Sequence, residues 1–179
     1  MPSNVMDDPI LRENRRSELV RRLISHAVRT GIIQQLTGFS HNRQATVRRR
    51  LRVTGKSRWR GPPRTMLELF LETPRGRAQG AALVALCALF DIPIDAGAAS
   101  LPDFVSLSFT DRLCETYEAY RALVPNTEIE LEELILLRSS VAKGHIRLGH
   151  CRCCKGLILV NPYDGGHRTC AQCTGEPIP

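Results

Sequence analysis

CRCCKGLILVNPYDGGHRTCAQC, residues 151 to 173, holds five of the seven cysteines of a 179-residue chain. Cys151 and Cys154 form one C-x-x-C, and Cys170 and Cys173 form another, with fifteen residues between the pairs. Two residues between thiolates let one tight turn aim both sulfurs at one point. Two such turns supply four soft ligands in a tetrahedron, the spacing of a structural zinc site. One Zn2+ per chain on Cys151, Cys154, Cys170 and Cys173 is therefore the expected cofactor. A redox C-x-x-C is the competing reading, but redox motifs normally come singly and in a strand–helix–strand context. Cys153 is surplus; it competes with Cys154 as a ligand in a C-x-C, although C-x-x-C makes the better turn. His145, His150 and His167 lie close by, and four cysteines already fill the coordination sphere. Leu157 to Val160 reads as a strand, and Asp164-Gly165-Gly166 as a hairpin turn. The result is a zinc-ribbon-like β-hairpin module of about 25 residues, too small to fold on apolar burial alone, so metal is expected to carry its stability.

Upstream the pattern is helical. Leu19, Val20, Leu23, Ile24, Ala27 and Val28 repeat at helical spacing between arginines and predict one amphipathic helix ending near Gly31. Ile32, Ile33 and Leu36 predict a short second helix stopped by Gly38. Ser40 is a natural N-cap for a third, from His41 to about Val53. Residues 54–74 lose the pattern and read as a basic loop. An apolar helix follows from Arg77 to Phe90, and another spans Pro102 to Leu123. Thr127 and Glu130 form a capping box that opens the last helix. Cys87 and Cys114 stand alone in apolar or helical context and read as small core residues. The expected fold class is mainly α: a multi-helix domain with a helix-turn-helix-like segment and a small C-terminal zinc-ribbon-like hairpin. Expected boundaries are a tail at 1–14, a helical domain at 15–147, and the four-cysteine module at 148–179.

Gly31 to Arg52 has the layout of a helix-turn-helix. In its second helix Val47 and Leu51 face inward together, and His41, Ala45, Arg48, Arg49 and Arg52 point the opposite way, with Asn42 alongside. That is the pattern of a helix in a major groove, polar groups at its start near base edges and arginines on phosphates. Lys56, Arg58, Arg60 and Arg64 continue the run. From His41 to Arg64 there are nine basic residues, Arg43 among them, and no acidic one. Trp59 sits inside this run. A solvated basic helix is the plain alternative, and RNA competes with DNA because an arginine-rich strip binds any phosphate backbone.

Charge agrees with a polyanionic partner. Residues 1–80 carry 17 Lys and Arg against 6 Asp and Glu; residues 81–179 carry 8 against 12. The longest apolar run, Ala81 to Phe90, is half of what a spanning helix needs, roughly 20 residues. The first residues show no apolar stretch behind a basic start, so no membrane association and a cytoplasmic location are expected. Ser, His and Asp occur without a motif that brings them together, so no enzyme is expected.

With both features in view, the chain resembles the FlhC family, the larger subunit of the bacterial flagellar master transcriptional regulator. The resemblance rests on TGFSHNRQATVRRRLRVTGKS (37–57), on GPPR (61–64), and on CRCCKG followed by CAQC. From Arg64 onward the chain departs from the family with RTMLELF, and only TGEPIP follows the last cysteine. The resemblance implies a mostly helical protein with a C-terminal zinc site on Cys151, Cys154, Cys170 and Cys173, leaving Cys153 as a non-ligand. It also implies a smaller helical partner, FlhD, and a heterohexamer that binds upstream DNA and activates flagellar operons through RNA polymerase. The expected DNA-binding residues are His41, Asn42, Arg43, Arg48, Arg49, Arg52, Lys56, Arg58 and Arg60. An RNA-binding or ribosome-associated zinc protein is the second reading, and a metal-dependent or thiol enzyme the third.

Overall fold

The computed structural model describes residues 8–52, 67–94, 101, 105–163 and 168–175. Among the described residues the protein is mainly helical, with one small antiparallel hairpin near the C-terminus that carries a cysteine cluster. In chain order the elements are α1 (Pro9–Ser25), α2 (Thr30–Thr37), α3 (His41–Arg50), α4 (Glu68–Leu71), α5 (Pro74–Leu89), α6 (Leu107–Leu123), α7 (Leu131–Ala142), β1 (Arg147–His150), β2 (Leu157–Val160) and α8 (Ala171–Thr174). They fall into two compact units, residues 1–63 with 102–114, and residues 64–101 with 115–179. Helix α6 runs through both. Among the described residues no helix is long and apolar enough to cross a membrane.

In the first unit, α1 opens inside the stretch read as a tail. Asp8 caps it by accepting the Ile10 N–H at 2.8 Å, and Pro9 takes the first helical position, where no N–H is needed. Leu19, Val20, Leu23 and Ile24 are buried. The helix ends at Ser25, short of Gly31. Ala27 turns left-handed (φ 58°), and the Val28 N–H reaches back to the Leu23 carbonyl at 3.0 Å. Val28 enters the core by way of this turn rather than by another helical step. Helical spacing alone does not separate the two routes. Gly38 closes α2 as expected, at φ 72°, with its N–H on the Gln34 carbonyl. Thr110 of α6 donates to the Leu36 carbonyl at 3.1 Å, and Asp111 receives Arg15 at 2.8 Å and Arg22 at 2.5 Å.

In the second unit, α5 starts at Pro74, three residues before the expected start. Thr73 caps it through the Gly76 N–H at 2.9 Å, and the proline read as loop is its first residue. Leu83, Val84, Leu86 and Cys87 are buried, while Ala82, Ala85, Ala88 and Leu89 are exposed, so this helix is not enclosed on every side. A Cβ on Gly80 would meet Leu159 Cδ1 at 2.3 Å, and one on Gly76 the Leu69 carbonyl oxygen at 2.1 Å. Gly76 lets the α4 backbone close on α5, and Gly80 makes room for the Leu159 and Phe70 side chains. Helix α7 begins at Leu131, and its capping box is Glu130 with Glu133 rather than Thr127 with Glu130. Thr127 accepts the Ile129 N–H and bonds Tyr120, bracing the α6–α7 corner instead.

The hairpin pairs Arg147 with Val160 and His150 with Leu157. Its turn is therefore CRCCKG itself, residues 151–156. The turn expected at 164–166 lies outside the described residues. Leu159 is fully buried and packs against Gly80. Metal was expected to carry the module's stability; the module also has a helical seat.

Candidate metal centre and the basic helix-turn-helix

Two backbone turns build the metal centre. In the first, the Cys151 N–H donates to the Gly156 carbonyl at 2.8 Å, the Lys155 N–H to the Cys151 carbonyl at 3.1 Å, and Lys155 is left-handed at φ 62°. The Gly156 N–H then points at Cys154 Sγ at 3.4 Å. In the second, Cys170 caps α8, which carries Cys173, and the Cys170 N–H points at Cys151 Sγ at 3.4 Å. The four Sγ atoms of Cys151, Cys154, Cys170 and Cys173 lie within 4.8 Å of one another, with Cys154 and Cys170 at 3.5 Å. Metal–sulfur bonds of about 2.3 Å in a tetrahedron place sulfurs about 3.8 Å apart. The quartet fits a single four-thiolate site positioned to hold one metal ion. Cys151 and Cys170 are buried over Ile158 and Val160; Cys154 and Cys173 are exposed.

The thiols are electrostatically unequal. Backbone N–H groups, that of Cys154 first, hold the Cys151 thiol down at about 6 against the upward push of burial. Cys173 is pushed well up by the neighbouring thiols of Cys170 and Cys154, which stabilise its protonated form. By contrast burial drives Cys87 to about 12, an inert core thiol as expected; Cys114 is fully buried too. Cys153 is exposed and stands outside the quartet. His145 and His150 are exposed; His150 Nδ1 lies 3.0 Å from the Lys155 carbonyl. His167 lies outside the described residues.

One supporting residue escaped the sequence reading. Arg77 of α5 is buried, and its guanidinium donates to the carbonyls of Leu71 at 2.7 Å, Glu72 at 3.4 Å and Thr169 at 3.2 Å. Thr169 precedes the ligand Cys170, so Arg77 joins the end of α4 to the second cysteine pair. An arginine at the start of an apolar helix was the available signal.

The helix-turn-helix expectation meets a different inner face. Leu51 is 42% exposed, and the buried residue of α3 is Gln44, which donates to the carbonyls of Phe39 at 2.8 Å and Thr30 at 3.1 Å. The amide ties the turn carbonyl of Phe39 to the start of α2, which an apolar side chain could not do. Arg48 is half-buried and donates to Thr30 Oγ1 at 3.0 Å and the Val28 carbonyl at 3.4 Å. Arg43 pairs with Glu13 and lies 4.0 Å above the Phe39 ring. His41, Asn42, Arg49, Arg50 and Arg52 are exposed, and Arg49 reaches Thr46 of its own helix at 3.2 Å. Lys56, Arg58 and Arg60, with Trp59 and Arg64, lie outside the described residues. Comparison of the sequence with protein-family models and with curated proteins finds no match.

Proposed function

We propose that this chain is the DNA-binding subunit of a transcription activator of the FlhC kind. It works in the cytoplasm with an FlhD-like partner, contacts RNA polymerase and switches on flagellar operons. The observation that carries the reading is α2–Gly38–α3. A short helix, a left-handed glycine turn and a second helix present His41, Asn42, Arg49, Arg50 and Arg52 outward. Polar groups at a helix start suit base edges, and arginines further along suit phosphates. The bound metal in this reading is zinc, which four cysteines and no open position favour, and its role is structural. Nothing in the site calls for catalysis.

The test is co-expression with an FlhD-like partner, light scattering of the purified sample, and titration with promoter duplex across salt. A hetero-oligomer whose duplex affinity far exceeds that of either chain supports the reading. A chain that ignores the partner, or prefers single-stranded RNA to duplex, removes it.

A further inference from the structure

The charge of the C-terminal half is not uniform. Residues 81–142 hold 3 basic against 10 acidic side chains, whereas residues 143–179 hold 5 against 2. Averaging over the half hides a second basic cluster. Its members are Lys143, Arg147, Arg152, Lys155 and Arg168, all exposed, and the described residues of the module contain no Asp or Glu.

The backbone gathers three of them, Arg152, Lys155 and Arg168, around the knuckle between the strands, while Arg147, paired with Val160, stands at the other end of the hairpin. Arg147 opens β1, and Arg152 and Lys155 sit within the turn. The Arg152 N–H donates to the Arg168 carbonyl at 2.8 Å, bringing the two cysteine-bearing segments side by side. Lys155 Nζ lies 3.3 Å from the Arg152 carbonyl. A filled four-thiolate site carries roughly two negative charges, and part of the cluster offsets them. Five cations against two acidic side chains and the site's two charges leave the metal-filled module at about +1, with the cations concentrated on its described residues.

We propose that this head is a second phosphate-binding surface, which docks the backbone of duplex DNA independently of α3. The identity of the polyanion rests on the nucleic-acid reading above; the surface itself rests on the module alone. The metal fixes the knuckle, and the fixed knuckle presents Lys155 and Arg168, with Arg147 further along β1 on the same hairpin. Such contacts are indifferent to sequence and add affinity and salt dependence.

The experiment uses the full, metal-loaded chain and three variants: Arg147→Gln/Lys155→Gln/Arg168→Gln, Arg49→Gln/Arg50→Gln/Arg52→Gln, and the charge-keeping Arg147→Lys/Arg168→Lys. Binding to duplex DNA and to single-stranded RNA is measured across salt, with metal content alongside. The knuckle variant is expected to keep one metal and to lose about 2 to 3 units of salt slope on duplex. The lysine variant is expected to keep the slope. An unchanged slope in the knuckle variant overturns the proposal, and faster metal loss at unchanged slope assigns the cations to the thiolates instead. If the knuckle variant fails to hold metal, single glutamine variants, each expected to cost about one unit, decide the matter. A slope lost with the knuckle but not with the α3 variant keeps this surface and removes the helix-turn-helix reading. The same loss on RNA alone keeps the phosphate surface and changes its polymer. A wild-type chain that binds neither, alone or with its FlhD-like partner, overturns both.

Discussion

Replacing Gly76 with alanine tests the packing that seats the metal head. A Cβ at this position would stand 2.1 Å from the Leu69 carbonyl oxygen, 3.2 Å from its carbon and 3.0 Å from Thr73 Oγ1. A carbon beside a carbonyl oxygen settles at about 3.3 Å or more, so the α4–α5 corner must open by about 1 Å. The obstacle is backbone, and no side chain can swing aside. Overpacking of this kind costs up to about 3 kcal/mol. Opening the corner also weakens the Thr73 cap, worth about 1 kcal/mol, while alanine returns about 1 kcal/mol of helix propensity over glycine. The net loss is about 3 kcal/mol, roughly a hundredfold in the folding equilibrium. The adjoining Arg77 bonds to Leu71 and Thr169 should loosen with it, so a chelator should strip metal faster. Gly31 is the control: it sits exposed in α2, with nothing within 4 Å of its would-be Cβ. Gly31→Ala should be neutral or stabilising by up to about 1 kcal/mol. The assay is urea unfolding of metal-loaded protein, comparing midpoints at equal m-value. A Gly76→Ala variant as stable as wild type would refute the close approach of α4 to α5.

Cys170→Ser should abolish retention of the single metal by elemental analysis, whereas Cys153→Ser should keep it; full metal in the former removes the ligand assignment. The Cys151 thiol, held at about 6 and so ionised above that pH, must give up its proton only below it. Proton release per metal bound should therefore rise by one as pH falls through about 6, and calorimetry in buffers of different ionisation heat reads this. Arg48→Ala, which strips donors from Thr30 and Val28, should destabilise the chain by about 1 to 3 kcal/mol in urea. Arg49→Ala, on the exposed side of α3, should change stability by less than about 0.5 kcal/mol.

Two kinds of information meet in this chain. The spacing of Cys151, Cys154, Cys170 and Cys173 by itself pointed to a four-thiolate site, because two C-x-x-C turns can aim four sulfurs at one point, and the four sulfurs do converge. Helical periodicity likewise determined a mainly helical fold and the place of Gly38, since only a residue at ease with positive φ ends a helix there without strain. What sequence could not determine was which local option the surrounding structure would select. Ala27 could continue α1 or turn left-handed, and the burial of Val28 chose the turn. Pro74 could break a helix or begin one, and the Thr73 cap made it a beginning. Leu51, expected inside, is exposed, and Gln44 is the buried residue of α3, where its amide donates to the carbonyls of Phe39 and Thr30. The strand Leu157–Val160 was visible, but its partner β1 and its seat on Gly80 were not. Register and close approach depend on atoms that are distant along the chain, and a one-dimensional pattern records only neighbours.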